Sequence, residues 1–144
     1  MHGRMQGLMD AEGLPYGRRT HTYNSRLAQE LAKWADARRE GVRLHHLIYR
    51  AYFVDGRNIG DPSVLADLAS AAGLPLDEVR EVLERRTWRD AVDADWAMAS
   101  RSAITGVPTF VAGGQQAVGA QPEPVLRGLL DTAGAQPRIT VTGD

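Results

Sequence analysis

Thr105-Gly106-Val107-Pro108-Thr109-Phe110-Val111 is the stretch on which the fold turns. A small glycine precedes a Val-Pro bond, and a β-branched and aromatic run follows at once. Proline cannot donate to a sheet ladder, so Pro108 belongs at the head of a strand. An X-Pro bond takes the cis form at modest cost. Gly113-Gly114 then signals a hairpin turn, and Gln116-Ala117-Val118 reads as its second strand. Gly119 to Pro124 lead into Val125, Leu126, Leu129 and Leu130, spaced as one face of a helix.

Upstream the periodicity is helical throughout. Leu8 and Met9 close a short helix before Gly13. Leu27, Leu31, Trp34 and Ala35 mark a helix over 25–39, with Asn24 or Ser25 as its cap and Gly41 as its stop. Leu44, Leu47, Ile48, Ala51 and Tyr52 mark another over 42–53. Asp61-Pro62 reads as an N-cap followed by proline at the first helical position, and Gly73 as the stop. Leu74-Pro75-Leu76-Asp77 opens a further helix, whose Arg80, Glu81, Glu84, Arg85 and Arg86 read as a solvated face. A break near Thr87 separates it from a helix over 88–102. The tail after Ala133 reads as loose. The fold class is therefore mainly α with a β-hairpin (α+β): a helical part over about 8–104, then strand, hairpin and C-terminal helix over about 105–132, in a single domain.

Composition narrows the function. Seventeen basic and eighteen acidic side chains give a net charge of -1, which offers no electrostatic case for nucleic acid or an anionic membrane surface. No apolar run approaches the roughly 20 residues of a membrane span. The opening Met1-His2-Gly3-Arg4-Met5 lacks the apolar core of a signal peptide. A cytoplasmic location is the expectation. Zero cysteines exclude disulfides, thiolate catalysis and Cys-ligated metal from these 144 residues.

The chemistry-bearing residues are sparse. His45-His46 are helical neighbours, whereas a two-ligand helical pair wants a spacing of four, so they read as a titrating surface pair. Asp55 to Asp61 has the outline of a calcium loop, but Arg57 stands at an early ligand position and Ala66 where the closing glutamate belongs; a tight turn between helices fits better. Asp90, Asp93 and Asp95 scatter over different helix faces. Arg18-Arg19-Thr20-His21 reads as a solvated loop, and Trp34 as a core anchor. Thr105 and Thr109 bring hydroxyls near the Val-Pro bond, yet a lone hydroxyl without a base is a weak nucleophile. No catalytic residue, no metal site and no cofactor is expected.

The ordered text Tyr23-Asn24-Ser25-Arg26-Leu27-Ala28, Tyr49-Arg50-Ala51-Tyr52-Phe53-Val54-Asp55-Gly56-Arg57-Asn58-Ile59-Gly60-Asp61-Pro62, Gly106-Val107-Pro108-Thr109-Phe110 and Gly119-Ala120-Gln121-Pro122 resembles the DsbA family of thioredoxin-like oxidoreductases in its FrnE-like branch, related to the 2-hydroxychromene-2-carboxylate isomerases. The resemblance runs roughly from Leu8 to Leu130. It implies a helical insertion followed by the C-terminal β-β-α half of a thioredoxin-like fold. It further implies that Val107 and Pro108 form a substrate-binding loop, whose backbone meets an extended peptide or a glutathione-like thiol. The family's strand and Cys-x-x-Cys helix, or the serine of the isomerases, have no counterpart in this sequence, so it reads as a truncated DsbA-like domain.

Three functional readings follow from that resemblance. One is a thiol-disulfide oxidoreductase by descent that is not redox-active alone, since exchange requires a thiolate. Another is a peptide- or partner-binding module using the proline loop. The last is a glutathione-linked isomerase relic. Because two strands without neighbours are marginal in water, a homodimer or a strand-donating partner is also expected.

Overall fold

The computed structural model describes residues 2–18 and 20–136. Arg19, and the tail from Pro137 with Gly143, lie outside them. Seven helices and one hairpin follow in the order α1 (His2–Ala11), α2 (Arg26–Ala37), α3 (Gly41–Phe53), α4 (Pro62–Ala72), α5 (Leu76–Arg85), α6 (Arg89–Arg101), β1 (Thr109–Ala112), β2 (Gln115–Val118) and α7 (Glu123–Thr132). The expected class, helices followed by a β-β-α half, is the class observed.

The chain divides into two compact units, Met1–Asp95 and Trp96–Asp144. In the first, α2, α3, α4 and α5 pack on one another. The apolar stripes read from the sequence become one core, in which Leu31, Leu44, Leu65 and Val79 are completely buried. Each such side chain is worth roughly 1.5–3 kcal/mol removed from water. Trp34 belongs to this core, as expected, with the Arg38 guanidinium lying 5.1 Å from its ring centre.

The helix ends follow local chemistry. Asp61 caps α4: its carboxylate accepts the Ser63 N–H at 2.8 Å and the Ser63 hydroxyl at 2.7 Å. Asn24 accepts the Arg26 N–H at 2.8 Å at the start of α2. Gly73 ends α4 in the left-handed conformation. Gly41 is a correction. It does not end α2, which closes at Ala37 with Arg39 in positive φ; it opens α3. Its reason is close approach, since a β-carbon there would stand 1.8 Å from Asp36 Oδ1.

In the second unit β1 and β2 form an antiparallel pair in which Thr109 faces Val118 and Ala112 faces Gln115. Gly113 and Gly114 make the turn with φ of 54° and 77°, the pair of positive values that a two-residue hairpin turn demands. Within this unit, α7 is the helix packed on the hairpin among the described residues. The Ser102 carbonyl, which follows α6, accepts from Gln116 Nε2 at 2.7 Å. From Trp96 to Gln136 no residue is buried.

Candidate functional site

The Val107–Pro108 corner stands at the head of β1. The bond between the two residues is cis. Around it the backbone is tied down on one side only. The Gly119 N–H donates to the Pro108 carbonyl at 2.8 Å, continuing the hairpin ladder. The Thr109 hydroxyl donates to the Gly106 carbonyl at 2.7 Å and so braces the turn, a structural role that takes it out of contention as a nucleophile. Gln121 Nε2 donates to the Val118 carbonyl at 2.6 Å on the opposite strand.

Val107 is what this bracing leaves free. Its side chain is 90% exposed, and its backbone N–H and carbonyl have no partner among the described residues. An apolar side chain in water beside open backbone groups is the arrangement an extended chain can satisfy by strand addition. Among the described residues the two-stranded sheet also leaves the outer edge of each strand unpaired. Val111 and Val118, on one face of the hairpin, are about half exposed, as are Val125 and Leu130 on α7.

The helical unit carries two features of its own. Glu30 on α2 is 1% exposed and carries a charge. Burial pushes its carboxyl up. Hydrogen bonds from Arg86 (Nη2 at 2.6 Å, Nε at 3.1 Å) and from Arg26 Nε at 2.8 Å outweigh that, and hold it below its ordinary value. Arg26 also donates to Asp93 Oδ1 at 2.6 Å and to the Arg89 carbonyl, so one guanidinium joins α2 to the start of α6. Arg86 is therefore not merely part of a wet face, as the charge run suggested. Asp93 is half of an ion pair, and so is Asp95, whose carboxylate takes Lys33 Nζ at 2.6 Å.

The second feature is a cleft of about 520 Å³ between α2, α3 and the first turns of α6. Its floor is apolar and buried: Ala28, Ala32, Ile48, Ile59 and Val92. Its rim is polar. His45 Nε2 donates to both Asp36 oxygens at 3.1 Å, and the Lys33–Asp95 pair stands on the same cleft. His46, its neighbour in sequence, lines a different hollow beside Met5, Met9 and Arg50. The two histidines thus diverge, as helical geometry requires. Among the described residues no three His, Cys, Asp or Glu side chains come together to hold a metal. No helix among them is long and apolar enough to cross a membrane.

The sequence missed Glu30, although a signal was there. Glu30 lies three residues after Leu27 and four before Trp34, on the apolar stripe of α2, and Arg26 stands one turn before it.

Comparison with known proteins agrees with this architecture. An uncharacterized protein of Bacillus subtilis is 34% identical over 94 residues, 65% of this chain and 46% of that protein. The crystal structure of a probable DsbA oxidoreductase from Streptomyces coelicolor superposes with a TM-score of 0.76 at 33% identity, over 92% of this chain and 59% of the other. A candidate protein disulfide isomerase from Nitrosomonas europaea, 18% identical, shares the fold with a TM-score of 0.69, over 90% of this chain and 70% of its own. The chain thus spans about half the length of the first two. The sequence pattern of the DSBA-like thioredoxin domain matches residues 1–131. With its helical unit and its proline-led β-β-α unit, the chain belongs to the DSBA-like thioredoxin domain family.

Proposed function

We propose that these residues form the substrate-docking portion of a DsbA-type thiol-disulfide oxidoreductase, with Val107 and Pro108 as the docking corner. The observation that carries this reading is Val107: nearly full exposure, with both backbone groups unpaired at the head of an open strand. An extended peptide, or the backbone of a glutathione-like thiol, would pair there and seat its sulfur beside the corner. The 144 residues contain no cysteine, so they hold no thiolate to attack a disulfide. The ordered motifs favour the FrnE-like branch, and the cysteine-free composition fits a reducing cytosol. In an insulin-reduction assay the purified chain shows no turnover above buffer; measurable turnover refutes the reading.

A second reading rests on a different observation. No residue from Trp96 to Gln136 is buried, and among the described residues both strand edges are open. Such a unit gains its core on pairing, so the same corner and edge serve a second copy or a strand-donating partner. Sedimentation at micromolar concentration, combined with amide exchange, tests this. A monomer with full protection across β1 and β2 excludes it.

A further inference from the structure

The cleft in the helical unit is independent of the docking corner, since its lining residues all lie between Ser25 and Asp95. We propose that it is a binding site for a small organic cation with an aromatic or aliphatic body. Size, shape and charge each lead to that class.

A volume of about 520 Å³ falls in the range of small-molecule sites, and a buried apolar floor under a polar rim is their usual construction. The floor takes the hydrocarbon body. One wall is a continuous run of rings on α3. Tyr49 stands 6.3 Å from His45 and 6.3 Å from Phe53, and Tyr52 meets Phe53 edge-on at 4.9 Å. Tyr49 is 58% exposed, so its ring is open to a ligand. Aromatic faces carry negative charge and attract cations.

The rim has the same sign. Asp36 and Asp95 are its carboxylates, and Lys33 is the single lysine or arginine among the described lining residues. Lys33 is committed to Asp95 at 2.6 Å. Among the described residues Asp36 has His45 as its partner, through one N–H shared between its two oxygens. One carboxylate is therefore left without a lysine or arginine partner above an apolar floor. A ligand cation supplies that charge, and an anion would meet repulsion.

The test uses three molecules of one shape: phenethylammonium, 2-phenylethanol and phenylacetate. Each is titrated into the full chain while the amide resonances of Ala32, Ile48 and Tyr52 are followed. The cation saturates these shifts about tenfold more tightly than the alcohol, and phenylacetate leaves them unmoved. Lys33→Ala frees Asp95 and raises cation affinity about fivefold, whereas Asp36→Asn lowers it by a similar factor. A gain of affinity cannot come from damaged folding, so Lys33→Ala keeps the test decisive. The proposal is overturned if the alcohol binds as tightly as the cation, if Lys33→Ala brings no gain, or if millimolar cation leaves the cleft amides in place.

Discussion

Glu30 shows what a single side chain does to this fold. A carboxylate at 1% exposure is tolerable only because two arginines reach it, one from its own helix and one from the end of α5. Arg86 makes that reach from a left-handed conformation, φ 52°, which costs a side-chain-bearing residue about 1–2 kcal/mol and which its bonds to Glu30 offset. Glu30→Gln should therefore lower unfolding stability by about 1–3 kcal/mol in urea titrations, because both guanidinium groups lose a charged acceptor. The pH dependence has a definite sign. The folded carboxyl titrates below its ordinary value, so its contribution is complete above that value and is lost as pH falls through the folded one. Wild type and Glu30→Gln should thus differ most near neutral pH and converge in acid; a constant difference down to pH ~2 would contradict the linkage. Gly41 is the other informative residue. Gly41→Ala should drive the Asp36 carboxylate off His45, seen as a shift of the His45 ring resonances, and should lower stability by about 1–3 kcal/mol, since the added methyl also presses on the Asp36 backbone nitrogen.

Among the elements, stability is divided unevenly. Helices α2 to α5 share a core in which Leu31, Leu44, Leu65 and Val79 are wholly buried, while β1, β2 and α7 include no buried residue. Leu44→Ala should cost about 2–5 kcal/mol, read from the cooperative unfolding transition. Val118→Thr, on a half-exposed strand position, should stay within about 0.5 kcal/mol. Amides of α2 and α3 should exchange slowest and those of the hairpin fastest, because local opening follows the density of buried contacts. This unevenness also decides what the sequence could reveal. The helices of the core were legible because burial imposes a 3.6-residue period, and Asp61-Pro62, Gly73 and Gly113-Gly114 mark their boundaries with unambiguous local chemistry. Gly41 misled because its close approach to Asp36 depends on how the turn between α2 and α3 closes, which residue spacing does not show. Arg86 and Glu30 are 56 residues apart, and no periodicity connects them. The cleft has the same origin: its rim joins Lys33 to Asp95 and Asp36 to His45, pairings that only the packing of α2 against α3 and α6 creates.

For the molecule as a whole, a well-built helical unit accompanies a β-β-α unit whose apolar and backbone groups are left open. The proline-led corner at the head of β1 was legible as text, in Gly106-Val107-Pro108, but its exposure was not, because exposure depends on what else is present to cover it. The open backbone at Val107 is proposed to pair with an extended chain. The direct measurement is amide chemical shift and exchange at Val107 and along β1 in the full chain, titrated with S-methylglutathione and with a short extended peptide carrying S-methylcysteine. The Val107 amide should shift on titration and gain protection with the peptide, while the α2 and α3 amides do not change. If the peptide binds elsewhere, or leaves the Val107 amide shift and exchange as they were, the corner is not a docking site.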